Sequence, residues 1–222
     1  MAPMRLGVLD LGSNTIHLQV VDAHPGARPS PTTNQKVELR LTDYLNKSNE
    51  ITEAGIALLH QAISDAVEHA REFKTDEILA FATSAIRDAR NGSQILADLN
   101  KEFGIEINIL SGDEEANMTF LAARRWYGWS SGRLLVIDIG GGSLEIGVGD
   151  DEYPEATISL PLGAARLTRE FLENDPYTNK EIKNLESKVR ELVVSELPVK
   201  RFLNMPLINL SQPVKLSARW LD

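Results

Sequence analysis

One segment of this chain occurs twice. Val8–Asp22 aligns without a gap with Val136–Asp150, so that Asp10 falls on Asp138, Gly12 on Gly140 and Thr15 on Ser143. The two copies lie 128 residues apart, the length of a domain and far longer than a solenoid repeat, so the chain reads as two related halves. Each copy consists of an apolar strand, a turn built from Gly, Ser or Asn, and a second strand of alternating pattern, which together describe a β-hairpin. Any fold assigned to the chain has to accommodate the same hairpin in two places.

Periodicity fills in the rest. In the first half a strand is expected around Lys36–Leu41, and a helix from Glu53 to Phe73, where Ile56, Leu59, Ala62, Ile63, Val67 and Ala70 recur at helical spacing. A buried strand follows at Glu77–Ala82, then a helix at Ser93–Phe103, a strand at Ile105–Leu110 and a helix at Asp113–Arg125. The second half is expected to have strands at Leu134–Ile139, Leu144–Gly149 and Ala156–Leu160, and helices at Ala164–Glu173 and Asn179–Glu196. Strands alternating with helices give a layered α/β architecture. The organisation expected is a first lobe over 1–125, a partial second lobe over 126–198 and an irregular tail over 199–222, in which Pro198, Pro206 and Pro213 interrupt any further unit. Trp126–Gly132, with two Trp and a Tyr, lies between the halves as a hinge whose aromatics pack the junction.

Composition narrows the partners. A net charge of −9 argues against a broad cationic face for nucleic acid, and sequence-specific binding of it is not expected either. There is no Cys, which removes disulfides, thiolate metal sites and a cysteine nucleophile, and favours a reducing compartment. The N-terminal residues lack a signal pattern, and no apolar run reaches the ~18 residues of a membrane span, so the expectation is a cytoplasmic protein without a membrane partner.

The repeated turns suggest the chemistry. Gly12 and Gly140, Gly141 and Gly142 let backbone N–H groups approach phosphate oxygens, while Ser13, Asn14, Thr15 and Ser143 add side-chain donors. Asp10 and Asp138 each end an apolar strand, and Glu145 follows two residues after Ser143, so Asp138 and Glu145 flank their loop as two carboxylates suited to Mg²⁺. No Gly-Lys-Ser/Thr follows either loop, which excludes a P-loop, and the Rossmann spacing also fails. Ser111 and Glu114 fit a capping box, leaving Glu115 either as a helix-dipole carboxylate or as a general base toward a water attacking phosphate. Thr83 or Ser84 is expected to cap a helix, with Arg87 either clamping phosphate or pairing with Asp88 or Asp113. His17 is expected as a half-buried strand residue.

With these motifs the chain resembles the exopolyphosphatase/guanosine pentaphosphate phosphatase family, particularly its actinobacterial exopolyphosphatase-like members. The resemblance rests on five ordered segments: Asp10–Thr15, Ala82–Arg87, Ser111–Ala116, Asp138–Glu145 and Ser159–Arg166. It implies an actin-like, ribonuclease-H-type duplicated fold with the site in an interlobe cleft. It also implies Mg-dependent release of terminal phosphate from polyphosphate or a phosphorylated guanosine, with Glu115 as base and Asp138 and Glu145 as metal ligands. Two departures stand out. Asn117 occupies a position where many relatives carry Arg, and the family's later Gly-Thr-Ser-x-Thr segment is absent after residue 198, so the second lobe is expected to be short. A short lobe with exposed apolar surface would favour a homodimer. A sugar kinase or actin-like ATPase would need an adenosine-binding segment in the second lobe, and none is found.

Overall fold

Residues 4–25 and 29–196 are described in the computed structural model of the chain. The tail expected over 199–222, the segment missing after 198 and the end of the second lobe at 197–198 lie outside the described residues.

The first repeat forms the hairpin β1 (Met4–Leu11) and β2 (Thr15–Ala23), paired antiparallel with Asp10 opposite His17. β3 (Ser30–Glu38) continues antiparallel along β2, with an irregularity in register between Val20 and Val21. On the other side of β1 lies β4 (Glu77–Ala82), parallel to it, and then β5 (Ile107–Ile109). The order β3-β2-β1-β4-β5 places β1 at the centre with antiparallel neighbours on one side and parallel ones on the other. This is the ribonuclease-H-type sheet expected.

Leu9 and Leu11 are buried and alternate with the half-buried Val8 and exposed Asp10 along β1, and face a core shared with Ile16, Leu18 and Val20 of β2. α1 (Glu53–Glu72) closes this core with Leu59, Ile63, Ala66, Val67 and Ala70. Thr52 caps α1 by accepting a hydrogen bond from the Gly55 N–H, an arrangement worth about 1 kcal/mol. α3 (Gly92–Phe103) adds Ile95, Leu96 and Leu99 and stops at Gly104, whose left-handed φ of 66° ends the helix cheaply.

Two expectations need correction. The strand placed at Lys36–Leu41 in fact begins at Ser30 and ends at Glu38, after which the chain turns through Arg40 into a 3-10 segment, Leu41–Tyr44. Turn contacts explain the early stop: the N–H groups of Leu39 and Arg40 donate to Asn14 O and that of Leu41 to Ser13 O, which draws residues 39–41 onto the first loop. Nor is there a side-chain cap on α2 (Ser84–Arg87), a single turn whose preceding Thr83 hydroxyl makes no capping bond.

The second repeat forms β6 (Leu134–Ile139) and β7 (Leu144–Gly149), with β8 (Ala156–Leu160) antiparallel beyond β7. α4 (Gly112–Tyr127) packs against this second sheet, with Phe120 fully buried against Gly147 and Gly149. Buried Arg124 ties the end of α4 to the end of β7. Its guanidinium donates to Gly149 O at 2.9 Å and Ser131 Oγ at 3.2 Å, and it lies over the rings of Phe120 and Trp129. The expected hinge at Trp126–Gly132 is thus the last turn of α4 followed by a 3-10 turn, Trp129–Ser131. α5 (Ala164–Phe171) and α6 (Asn179–Glu196) complete the described chain.

Candidate active site

The two repeated turns close in the same way. Gly12 N–H donates to Thr15 O at 2.9 Å, and Gly140 N–H donates to Ser143 O at 2.9 Å. Each turn is then held from outside by a later segment: Ser13 O accepts from Leu41 N–H, and its repeat-equivalent Gly141 O accepts from Arg166 N–H. The turns also meet. A Cβ added to Gly142 would sit 2.3 Å from Ser84 Oγ and 2.9 Å from Ser13 Oγ, and one on Gly141 would sit 2.6 Å from the Asn14 side chain. Glycine at 142 is what permits that approach, because any larger residue would strike two hydroxyls already hydrogen-bonded to each other at 3.0 Å.

Strand register organises the carboxylates. Asp138, Glu145 and Ser159 form one rung across β6, β7 and β8, with Asp138 opposite Glu145 and Glu145 opposite Ser159. Directly opposed residues share a face of the sheet, about 5 Å apart at Cβ, so the hairpin alone brings the two carboxylates together. Glu145 is buried, and its Oε1 accepts from Ser159 Oγ at 2.7 Å. Burial pushes its acid strength down, raising the pKa, while the Ser159 and Ser143 hydroxyls pull the other way. Burial raises Asp138 as well. Asp10, on the equivalent rung of the first sheet, is open to solvent yet crowded by protein, and desolvation together with the negative charge of Asp138 lifts its pKa to about 6. Opposite Asp10 stands His17 in place of a second carboxylate; half-buried as expected, it has its pKa lowered by burial and by Lys36.

Glu115 enters from the first turn of α4. The capping box is complete: Ser111 Oγ accepts from Glu114 N–H, while the Glu114 carboxylate accepts from Ser111 N–H. Glu114 is thereby occupied and Glu115 is free to turn inward, where its Oε2 meets Arg87 Nη1 at 3.0 Å. Arg87 also donates to Leu110 O at 3.0 Å and to Asp88 at 3.2 Å, so it pairs with Asp88 and Glu115; no ion pair with Asp113 occurs among the described residues. Desolvation, reinforced by Glu145, raises Glu115 to about 7 against the lowering effect of Arg87. A cavity of about 370 Å³ opens beside this pair, walled by Arg87, Asp88, Ser111, Gly112, Ser143 and Ser159.

Asp10, Glu115, Asp138 and Glu145 thus lie within electrostatic reach of one another, and Arg87 links Glu115 to Asp88, which also holds Arg166. Such a negative excess would repel a phosphate unless a cation intervened. Among the described residues no three acidic or histidine side chains converge into a cage of their own. Mg²⁺ does not need one, since it takes one or two carboxylates and fills its octahedron with waters and substrate oxygens. The Asp138–Glu145 rung offers two carboxylates of raised pKa, and this donor set fits an ion shared with a phosphate.

The site residues read from the sequence therefore gather at one cleft: the loops at 12–15 and 140–143 touch, and Arg87 and Glu115 pair beside Asp138 and Glu145. Sequence reasoning gave Ser159 and Arg166 no role beyond bounding one of the five segments, and gave Asp88 only as a partner for Arg87, which it is. Ser159 had a signal, as a polar residue in an apolar strand at the position that continues the Glu145 rung. Asp88 and Arg166 form an ion pair across 78 residues, and no local pattern announces it.

The sequence profile that matches, over residues 19–203, describes the Ppx/GppA phosphatase family. The chain is 53% identical over 173 residues to Exopolyphosphatase 1 of Mycobacterium tuberculosis, covering 78% of this chain and 50% of that protein. It is 29% identical over 180 residues to a guanosine-5'-triphosphate,3'-diphosphate pyrophosphatase of Aliivibrio fischeri, covering 81% of this chain and 36% of the other. Among solved structures, an exopolyphosphatase from Cytophaga hutchinsonii superposes with a TM-score of 0.81 at 25% identity, over 90% of this chain and 63% of that one. The chain spans about half the length of the mycobacterial relatives it matches. With the actin-like architecture and the five ordered motifs, the match places this chain in the Ppx/GppA phosphatase family.

Proposed function

We propose that the chain carries the catalytic cleft of a Mg-dependent phosphohydrolase that releases terminal phosphate from inorganic polyphosphate, with guanosine pentaphosphate as a second substrate. The observation that carries this reading is the ion pair of Glu115 with Arg87, whose guanidinium lines a cavity that also reaches Ser143 and Ser159, the latter on the acidic rung. The mycobacterial relatives named exopolyphosphatase favour polyphosphate, and the more distant pyrophosphatase relative supports the guanosine substrate.

Each residue has a distinct task in this reading. Asp138 and Glu145 hold Mg²⁺, which when bound neutralises charge on the phosphoryl oxygens. The turns at 12–15 and 140–143 orient the terminal phosphate by their hydroxyls and N–H groups. Arg87, pinned by the Leu110 carbonyl, stays at the wall as a phosphate partner. Glu115 takes a proton from water as the water oxygen bonds to the terminal phosphorus and the bridging P–O bond breaks toward the shortened chain. A carboxylate raised to about 7 is well matched to that proton transfer near neutral pH.

Glu115→Gln tests the assignment. Mg-dependent phosphate release from polyphosphate is expected to fall by roughly a thousandfold, within the usual range for a general base, while polyphosphate binding persists. Equal turnover by the two proteins removes Glu115 as base. Tight binding with no turnover by either points instead to a phosphate sensor on the same fold.

A further inference from the structure

The contact between Asp88 and Arg166 has no place in the chemistry above, yet Asp88 lines the same cavity as Arg87. Asp88 follows α2 in the first lobe, and Arg166 belongs to α5, whose first turn is fastened to the 140–143 loop through Ala164 N–H to Gly140 O and Arg166 N–H to Gly141 O. The single Asp88 carboxylate serves two guanidiniums, giving Oδ1 to Arg87 Nε and Oδ2 to Arg166 Nη2. The two cations of the cluster are therefore held side by side by one small anion; Arg87 and Asp88 line the cavity, and Arg166, just behind Asp88, is still partly accessible to solvent. Phosphate competes well for such a guanidinium, because it offers more acceptor oxygens in the same forked geometry than a shared carboxylate can.

Building on the polyphosphate reading, we propose that Arg166 is a second substrate-binding cation: in the free protein Asp88 keeps it in place, and in the complex its guanidinium passes to an internal phosphate of the chain, so that Arg87 and Arg166 together select long polyanions. Asp88 is then a placeholder that keeps two cations poised at the cleft. The neighbouring contact of Arg169 Nη1 with Thr42 O at 3.0 Å holds α5 against the first lobe independently, so the lobes stay joined when Arg166 changes partner.

The test is steady-state kinetics and direct titration of the full chain with long-chain polyphosphate and with tripolyphosphate, at low salt and with Mg²⁺. Loss of one charge-assisted partner predicts that Arg166→Gln raises KM for the long chain by about tenfold or more, with kcat and the tripolyphosphate KM changed less than about twofold. Arg166→Lys is expected to recover part of the loss, as a point charge without the fork. Asp88→Asn is expected to lower KM for the long chain by roughly threefold, a gain that misfolding cannot produce. Arg166 is excluded from substrate binding if Arg166→Gln and Asp88→Asn merely lower the melting temperature, and its selection of long chains is overturned if the KM values for both substrates shift alike. Failure of the unaltered chain to bind or hydrolyse either polyphosphate overturns the parent reading and this one with it. Normal wild-type activity together with an indifferent Arg166→Gln overturns only the role of Arg166.

Discussion

β1 and β6 are the same strand in sequence and opposite cases in structure. Leu9 and Leu11 of β1 are 0% and 1% exposed, whereas their repeat-equivalents Ile137 and Ile139 of β6 are 57% and 64% exposed. The difference lies in what surrounds each strand. β1 has β2 on one edge and β4 on the other, with α1 over its apolar face, while β6 has only β7 among the described residues. The second hairpin is held from its other face, where α4 brings Phe120 onto the two glycines of β7 and Arg124 ties down the corner. An apolar pattern thus states which face of a strand suits burial, and neighbouring elements decide whether burial occurs. The site follows a different logic. Its carboxylates are set by register within each hairpin, so Asp138 meets Glu145 whether or not β6 is covered.

The contrast can be tested at the site first. Glu145→Gln removes a carboxylate from the rung assigned to the metal, and His17→Gln changes the equivalent position of the first hairpin. The first is expected to cut Mg-dependent turnover by roughly a thousandfold, or about 4 kcal/mol, the second less than about threefold. Similar losses in a phosphate-release assay would mean that the two hairpins share the work equally.

Stability offers the next test. Leu9→Ala opens a hole in a packed core and is expected to cost about 3 kcal/mol, whereas Ile137→Ala on the uncovered strand is expected to stay within about 0.5 kcal/mol. Urea melts of the two variants give both numbers, and a large cost at Ile137 would show that β6 is covered in solution.

The smallest expected effect concerns protons. The folded pKa of Glu115 stands above its ordinary value of 4.5, at about 7, so the folded state holds the proton more tightly than the unfolded one. Stability without metal is therefore greatest below pH 4.5 as far as this group is concerned and declines as pH rises through 4.5 to 7, by roughly 2–3 kcal/mol at most. Melting curves in EDTA across that window should show the decline, Glu115→Gln should lessen it, leaving the share of the other raised carboxylates, and added Mg²⁺ should restore stability at pH 7.5. A wild-type profile that rises across the same window would contradict the raised carboxylate.

The sequence revealed the hairpins because their signal is local: an alternating pattern, a glycine turn and a second copy to confirm it. β3 was displaced because Ser30–Thr33 carry no apolar alternation; this edge strand is ordered by its ladder to β2 and buries little. The capping box at Ser111 was legible for the same local reason, and it freed Glu115 for another task. What the spacing left open was where Glu115 would point. Arg87 lies 28 residues earlier, and the two come together only where the chain entering α4 passes Arg87, which donates to Leu110 O as well as to Glu115. Asp88 and Arg166 are further still from prediction, since an isolated Arg on a short helix reads as a solvated side chain until the fold supplies its partner.

Gly142, pressed against Ser13 and Ser84, makes the junction of the two turns a place where a single methyl group would act as a wedge. Gly142→Ala would prop the turns apart without altering any charge in the cleft, giving engineers a chain fixed in its parted form and a direct means of asking whether the jaws must touch before they can bite.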